Sequence, residues 1–244
     1  MSVLEGVEPL PEGWEDLFET NYHLLEHIQT IIDEKGNDFY PESENVFRAH
    51  RLCHPNKIKV IIIGQDPYFE GSANGLAFSV SEGCKIPPSL KNIFKVIKTT
   101  LQRDSICAKD GDLTRWAEQG VFLLNASLTA TPGKAGGFKR VWDGWTLRTL
   151  AFIFKNAENN DIVEDLEEEE DGDDVAEEKS DKDFLPITIL LGRDAQAFKK
   201  YVTGPVLESS HPSPLGAHHG FMDCNIFNET NDILARHGLK KIIW

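Results

Sequence analysis

Asp66 and His211 are the two side chains whose settings suit acid–base chemistry at a shared site. Asp66 follows Val60-Ile61-Ile62-Ile63-Gly64-Gln65, and four β-branched residues in a row suit a strand buried on both faces. Gly64 and Pro67 stop that strand and deliver the carboxylate at its carboxyl end, where open α/β sheets place their ligand crevices. His211 lies in Ser210-His211-Pro212-Ser213-Pro214-Leu215, a proline-stiffened loop fed by the apolar run Pro205-Val206-Leu207. One loop offers a carboxylate and the other an imidazole, so together they read as two halves of one active site. Each also has a plainer reading: an Asp before Pro is commonly a turn acid, and a lone histidine in such a loop is commonly structural. Asn125 ends a second strand, where its amide could face the same crevice with one donor group and one acceptor; an Asn closing a turn is the ordinary alternative. His211, His218, His219 and Cys224 are metal-ligand types, but their spacing fits no compact zinc site and no metal is expected.

The elements that must position these groups follow from hydrophobic periodicity. Residues 14–33 have helical spacing, and a further helix is expected before Cys53. Strands are expected at 59–64, 121–125, 187–192 and 205–209. Pro87-Pro88-Ser89 reads as the start of a helix continued by Ile93, Val96, Ile97 and Leu101. Helices are also expected at 112–119, 142–156 and about 221–237, the last ending at Gly238 as a C-cap. Strands alternating with helices imply an α/β fold: a three-layer α/β/α arrangement with a central four-stranded parallel sheet and helices on both faces.

At 244 residues the chain is long enough for one well-packed domain, and a single domain spanning 1–244 is expected. No apolar run approaches the roughly 20 residues that span a bilayer, and the acidic first 18 residues do not resemble a signal peptide. Four scattered cysteines without a Cys-x-x-Cys pair suit reduced thiols in an intracellular protein. The net charge of −15 is concentrated: 15 acids and two lysines fall between Glu158 and Asp183, leaving −2 for all other residues. The near-neutral body can still bind nucleic acid if its cations and helix N-termini gather on one face. The segment at about 159–183 has too few apolar groups to offset its ordering entropy, and is expected to be a mobile acidic surface loop. An internal imitation of DNA phosphates is the less favoured alternative for it.

Five segments occur in the order and spacing of one family: Gly64-Gln65-Asp66-Pro67-Tyr68, Gly75-Leu76-Ala77-Phe78-Ser79-Val80, Pro87-Pro88-Ser89-Leu90-Lys91-Asn92-Ile93, Leu123-Leu124-Asn125-Ala126 and His211-Pro212-Ser213-Pro214-Leu215. On these the chain resembles the uracil-specific family of uracil-DNA glycosylases, from about residue 14 to 244 apart from the acidic insert. The resemblance implies hydrolysis of the bond between uracil and deoxyribose in DNA, with no cofactor, as the start of base-excision repair. Cleavage makes the sugar oxocarbenium-like and the base anionic, so negative charge is needed near the sugar and donors at the base. The resemblance gives the first role to an ionised Asp66, which also orients water. It gives the second to a neutral His211 donating to uracil O2. Asn125 would read uracil O4 and N3–H, Phe78 would stack on the base, Tyr68 would crowd its C5 against thymine, and the Gln65 backbone would help fix it. The base must be flipped out of a duplex, and Leu215 resembles the wedge that fills the vacated stack. Pro87, Pro88, Ser89 and Ser213 would grip flanking phosphates, with Gly192 and Arg193 standing where the family has a Gly-Ser phosphate loop.

The chain departs from the family pattern at Phe69, where a water-holding histidine is usual, and at His218 and His219, where Tyr and Arg are frequent. Phe69 is expected to reduce turnover unless another polar group compensates, and His218 and His219 to make DNA affinity more sensitive to pH. Expected partners are single- and double-stranded DNA containing uracil, with a protein inhibitor or replication partner as further candidates. The chain is expected to be a monomer, cytoplasmic if bacterial or phage and nuclear if eukaryotic. The rival reading is a catalytically weakened DNA-binding accessory or processivity subunit with the same fold.

Overall fold

The computed structural model describes residues 1–36, 38–101, 110–138, 140–164 and 184–244, with the backbone alone for 159–164. Strands β1 (Val60–Gly64), β2 (Val121–Asn125), β3 (Ile187–Leu191) and β4 (Val206–Ser209) form one sheet in the order β2-β1-β3-β4. Every pairing is parallel, with Gly64 beside Asn125 and Leu191 beside Ser209. All four carboxyl ends therefore reach the same edge. The first three strands are buried along their whole length, as continuous apolar runs require, while β4 is the half-exposed edge.

The helices are α1 (Glu15–Thr20), α2 (Tyr22–Glu34), α3 (Arg48–Leu52), α4 (Pro88–Leu101), α5 (Thr114–Ala117), α6 (Asp143–Glu164), α7 (Arg193–Gln196) and α8 (Ile226–Arg236). The connection from β1 to β2 moves one way along the sheet, and those from β2 through β3 to β4 move the other way. Right-handed crossovers that run in opposite directions lie on opposite faces. Accordingly α4 packs with α8, and α6 packs with α1 and α2. The layer containing α4 and α8 buries Phe94, Trp116, Phe227 and Trp244 as a ring cluster. The opposite layer buries Trp14, Phe18, Phe47 and Trp145 around His50 and Phe122. The chain changes direction between β1 and β3, the place where sheets of this kind open a crevice.

The expected elements are present with three shifts. The helix over 14–33 divides at Asn21, whose side-chain amide donates to the Leu17 carbonyl at 2.8 Å. The last helix starts at Ile226, because extended backbone at Cys224 (φ −76°, ψ 152°) separates it from a 3-10 turn at Phe221–Asp223. Its far end fits the expectation: Gly238 has φ +78°, with Gly238 N–H on the Ala235 carbonyl and Leu239 N–H on the Leu234 carbonyl, a Schellman closure. The third shift corrects the acidic insert. Residues 159–164 continue α6 as helix, eight residues past the expected end at 156, while 165–183 lie outside the described residues, as does Cys107.

Candidate active site

Gly64 closes β1 beside Asn125, which closes β2, and the pair forms the floor of the crevice. A Cβ on Gly64 would lie 2.6 Å from Asn125 Oδ1 and 3.4 Å from the Phe78 ring. Only glycine lets the buried amide and the aromatic ring meet over the strand end. Phe78 has φ +64°, a strained setting for an aromatic residue that costs on the order of 1–3 kcal/mol and persists only where its surroundings enforce it. Here the enforcement comes from Asn74, whose side chain donates to Ser79 Oγ and to the Val80 carbonyl, both at 3.0 Å. Ser79 Oγ also accepts the Leu113 amide at 2.9 Å, and the Ala77 amide donates to the Leu123 carbonyl of β2 at 3.1 Å. Tyr68 reaches the same place: its hydroxyl donates to the Phe78 carbonyl at 3.3 Å, and burial pushes its phenol pKa up.

His211 follows β4 and approaches from the other side, its ring centroid 5.9 Å from that of Phe78. Its Nδ1 accepts the Ser213 amide at 3.1 Å, so the neutral imidazole carries its proton on Nε2. Burial lowers its pKa; Asp66 and Asp194 oppose that through their charge, and burial prevails. The loop is held from several directions. Asn92 of α4 donates to the Pro212 carbonyl at 2.8 Å, and Ser210 Oγ donates to the Gly216 carbonyl at 2.9 Å while accepting the Phe221 amide at 3.0 Å. A Cβ on Gly192, which has φ +91°, would stand 2.8 Å from His211 Cβ, and one on Gly216 would stand 2.5 Å from the His211 carbonyl oxygen. Two glycines thus let the loop close around the imidazole.

Asp66, in the turn after β1, is half-buried and accepts the Gly136 amide on Oδ2 at 2.6 Å. With Gln65 it also borders a cavity of about 400 Å³ whose lining includes Ser127, Arg140 and Asp194 but not Phe78, Asn125 or His211. The Gln65 carbonyl accepts the Ser127 amide at 3.0 Å, so its backbone is fixed to the segment after β2.

Around this centre the expected contact groups lie at the surface, except Gly192, which is buried. Its N–H donates to the Ser209 carbonyl and its carbonyl accepts the Gln196 amide, both at 3.0 Å, so it has no free amide for a phosphate. Leu215 is 90% exposed, a large apolar side chain presented to solvent at a loop tip. Pro88 and Arg193 are exposed, at the N-termini of α4 and α7, and Pro87 and Ser89 are half-buried beside Pro88. Ser213 uses its hydroxyl within the loop, accepting the Gly216 amide at 3.2 Å. His218 and His219 are exposed in a 3-10 turn just beyond. Phe69 is half-buried, and its carbonyl accepts the Gly133 amide at 2.9 Å. The positioning groups Asn74, Asn92 and Gly136 carry no role in the sequence reading. The only local signal for them is the turn-forming grammar of Asn74-Gly75 and of the glycine cluster at 133–137.

A family model described as the uracil DNA glycosylase superfamily matches residues 50–235. The chain belongs to this superfamily. The uracil-DNA glycosylase of Idiomarina loihiensis is 42% identical over 209 residues, covering 84% of this chain and 85% of that protein. Among solved structures, mimivirus uracil-DNA glycosylase superposes with a TM-score of 0.81 at 23% identity, covering 100% of this chain and 89% of that one. A variant of the mimivirus enzyme in complex with UGI gives 0.80 at 23% identity, covering 100% and 91%. In this superfamily member, the matched region contains every crevice residue from Gly64 to Leu215.

Proposed function

We infer that this protein hydrolyses the N-glycosidic bond between uracil and deoxyribose in DNA, leaving an abasic site for base-excision repair. The observation that carries the reading is the convergence over Gly64 of the Asn125 amide, the Phe78 ring and a neutral His211, with Asp66 at the margin. Uracil stacked on Phe78 would offer O4 and N3–H to Asn125, whose amide supplies the matching donor and acceptor; cytosine presents the reversed pattern. As the C1′–N1 bond breaks, its electron pair leaves on the base, and the Nε2–H of His211 donates to O2 where that charge gathers. A neutral donor suits this task, because it stabilises the anion without surrendering its proton. Asp66 stabilises the cationic sugar and takes the proton of the water that bonds to C1′.

Extruding the base from a duplex costs a few kcal/mol, and Leu215, exposed at its loop tip, would fill the gap it leaves. Pro87, Pro88, Ser89, Arg193 and Ser213 would hold flanking phosphates without reading sequence. Single-stranded DNA would be a substrate too, since nothing there must be unpaired. The mimivirus variant in complex with UGI supports a protein inhibitor as a further partner.

The deciding experiment is release of uracil from a labelled oligonucleotide by the wild-type protein, Asp66→Asn and His211→Leu. Each variant is expected to fold normally and excise uracil at least about 100-fold more slowly, a loss typical of removing a preorganised electrostatic group. Wild-type protein that binds the oligonucleotide but releases no base would favour a DNA-binding accessory subunit, and near-normal excision by either variant would refute the roles given.

A further inference from the structure

We propose that the glycine-rich loop 131–138 is the device that aims Asp66, with the backbone amide of Gly136 as its positioning group. The inference rests on the uracil-excision reading and adds a residue to it. Asp66 is half-buried and borders a cavity of about 400 Å³, so the direction of its carboxylate depends on the polar contacts made to it. The terminal torsion of an aspartate is broad. Its charge would help an oxocarbenium ion in almost any rotamer, but aligning a water on C1′ needs one oxygen held in one direction.

The 2.6 Å bond from Gly136 N–H to Asp66 Oδ2 supplies that constraint, at the short distance of a charge-assisted contact. The loop is built to hold the amide there. Pro132 and Gly133, the latter at φ +71°, occupy the middle of a turn closed by Lys134 N–H on the Thr131 carbonyl at 3.1 Å, the type II pattern. Gly133 N–H ties this turn to the Phe69 carbonyl at 2.9 Å, three residues past the carboxylate it serves. On the N-terminal side, Ala130 and Tyr40 exchange two backbone hydrogen bonds of 2.9 Å, and Trp142 Nε1 donates to Thr129 Oγ1 at 2.8 Å. On the C-terminal side, Phe138 is buried and Lys35 Nζ donates to the Gly137 carbonyl at 3.2 Å. Gly136 has φ +68°, and a Cβ on Gly137 would stand 2.0 Å from Thr131 Oγ1, so both glycines are required by the backbone path. An amide fixed on both flanks is a preorganised donor and costs no rearrangement during reaction.

Side-chain substitution at Gly136 would disturb the turn, so the test replaces its N–H with an ester oxygen by incorporating glycolic acid at position 136 of the full-length protein. Single-turnover excision of uracil should slow by about 10- to 100-fold, with KM for the oligonucleotide within about twofold of wild type and the melting temperature essentially unchanged. In the Asp66→Asn background the same ester should have no further effect, because the partner it aims is gone. Unaltered kcat, a loss carried in KM, or an equal loss in the Asp66→Asn background would overturn the proposal. Failure of the wild-type protein to release uracil would instead strike the underlying functional reading.

Discussion

At the scale of single residues, the space at Gly64 decides where Asn125 can stand. Alanine there would place a methyl 2.6 Å from Asn125 Oδ1 and 3.1 Å from Ala77 Cβ, neither of which can yield without moving a strand end or the Phe78 loop. Gly64→Ala is expected to cost about 1–3 kcal/mol of stability through overpacking and to slow uracil excision by more than tenfold, through displacement of the amide. Single-turnover rates with matched denaturation curves check this, and a folded variant with normal rates would show that Asn125 tolerates being moved. The acid, imidazole and amide were legible in the sequence because each follows an apolar strand that stops abruptly. Their supports were not. Asn92 holds the His211 loop across 120 residues of chain, and Gly136 reaches Asp66 across 70, so no local pattern marks either contact.

At the scale of elements, the parallel sheet explains why four distant segments meet: every strand ends at the same edge, and each delivers one loop there. The strands were legible as short apolar runs, and β2 has the bounds that its sequence suggests. The end of α6 was not, because composition alone made the acidic segment read as irregular from about 159. Charge limits burial but does not forbid helix, and a helix anchored by Trp145, Leu150, Ile153 and Phe154 propagates cheaply through Ala157 and Glu158. The Leu215 loop carries the prediction at this scale. Burying a leucine is worth about 1.5–3 kcal/mol, so if Leu215 enters the stack only when a duplex is opened, Leu215→Ala should lower excision from double-stranded DNA by roughly 10- to 100-fold. Excision from a single strand should change little, since no stacked partner has to be replaced. Equal losses on both substrates would assign Leu215 a general binding role instead of a wedge.

At the scale of the whole molecule, stability should respond to pH through a group far from the chemistry. His50 is buried among Trp14, Phe18, Phe47, Phe122 and Trp145. Its Nε2 meets Thr149 Oγ1 at 3.5 Å, and its Nδ1 has no hydrogen-bond partner among the described residues. Burial, with a smaller contribution from the Arg51 charge, lowers its pKa to about 3 from the ordinary value of 6.5. Between these values the unfolded chain binds a proton that the folded protein refuses, so the folded state is favoured as pH rises. The contribution is complete above about pH 6.5 and is lost progressively as pH falls through that value toward 3. From pH 7 to pH 5 the loss from this one site is about 2 kcal/mol, or roughly 4–8 °C in melting temperature for a chain of this size. His50→Leu keeps the site apolar and removes the titration. Thermal or urea unfolding of both proteins at pH 7 and pH 5 should therefore show a smaller fall for the variant by about that amount. Parallel losses would mean that protonated His50 is accommodated in the core, and that acid sensitivity arises elsewhere.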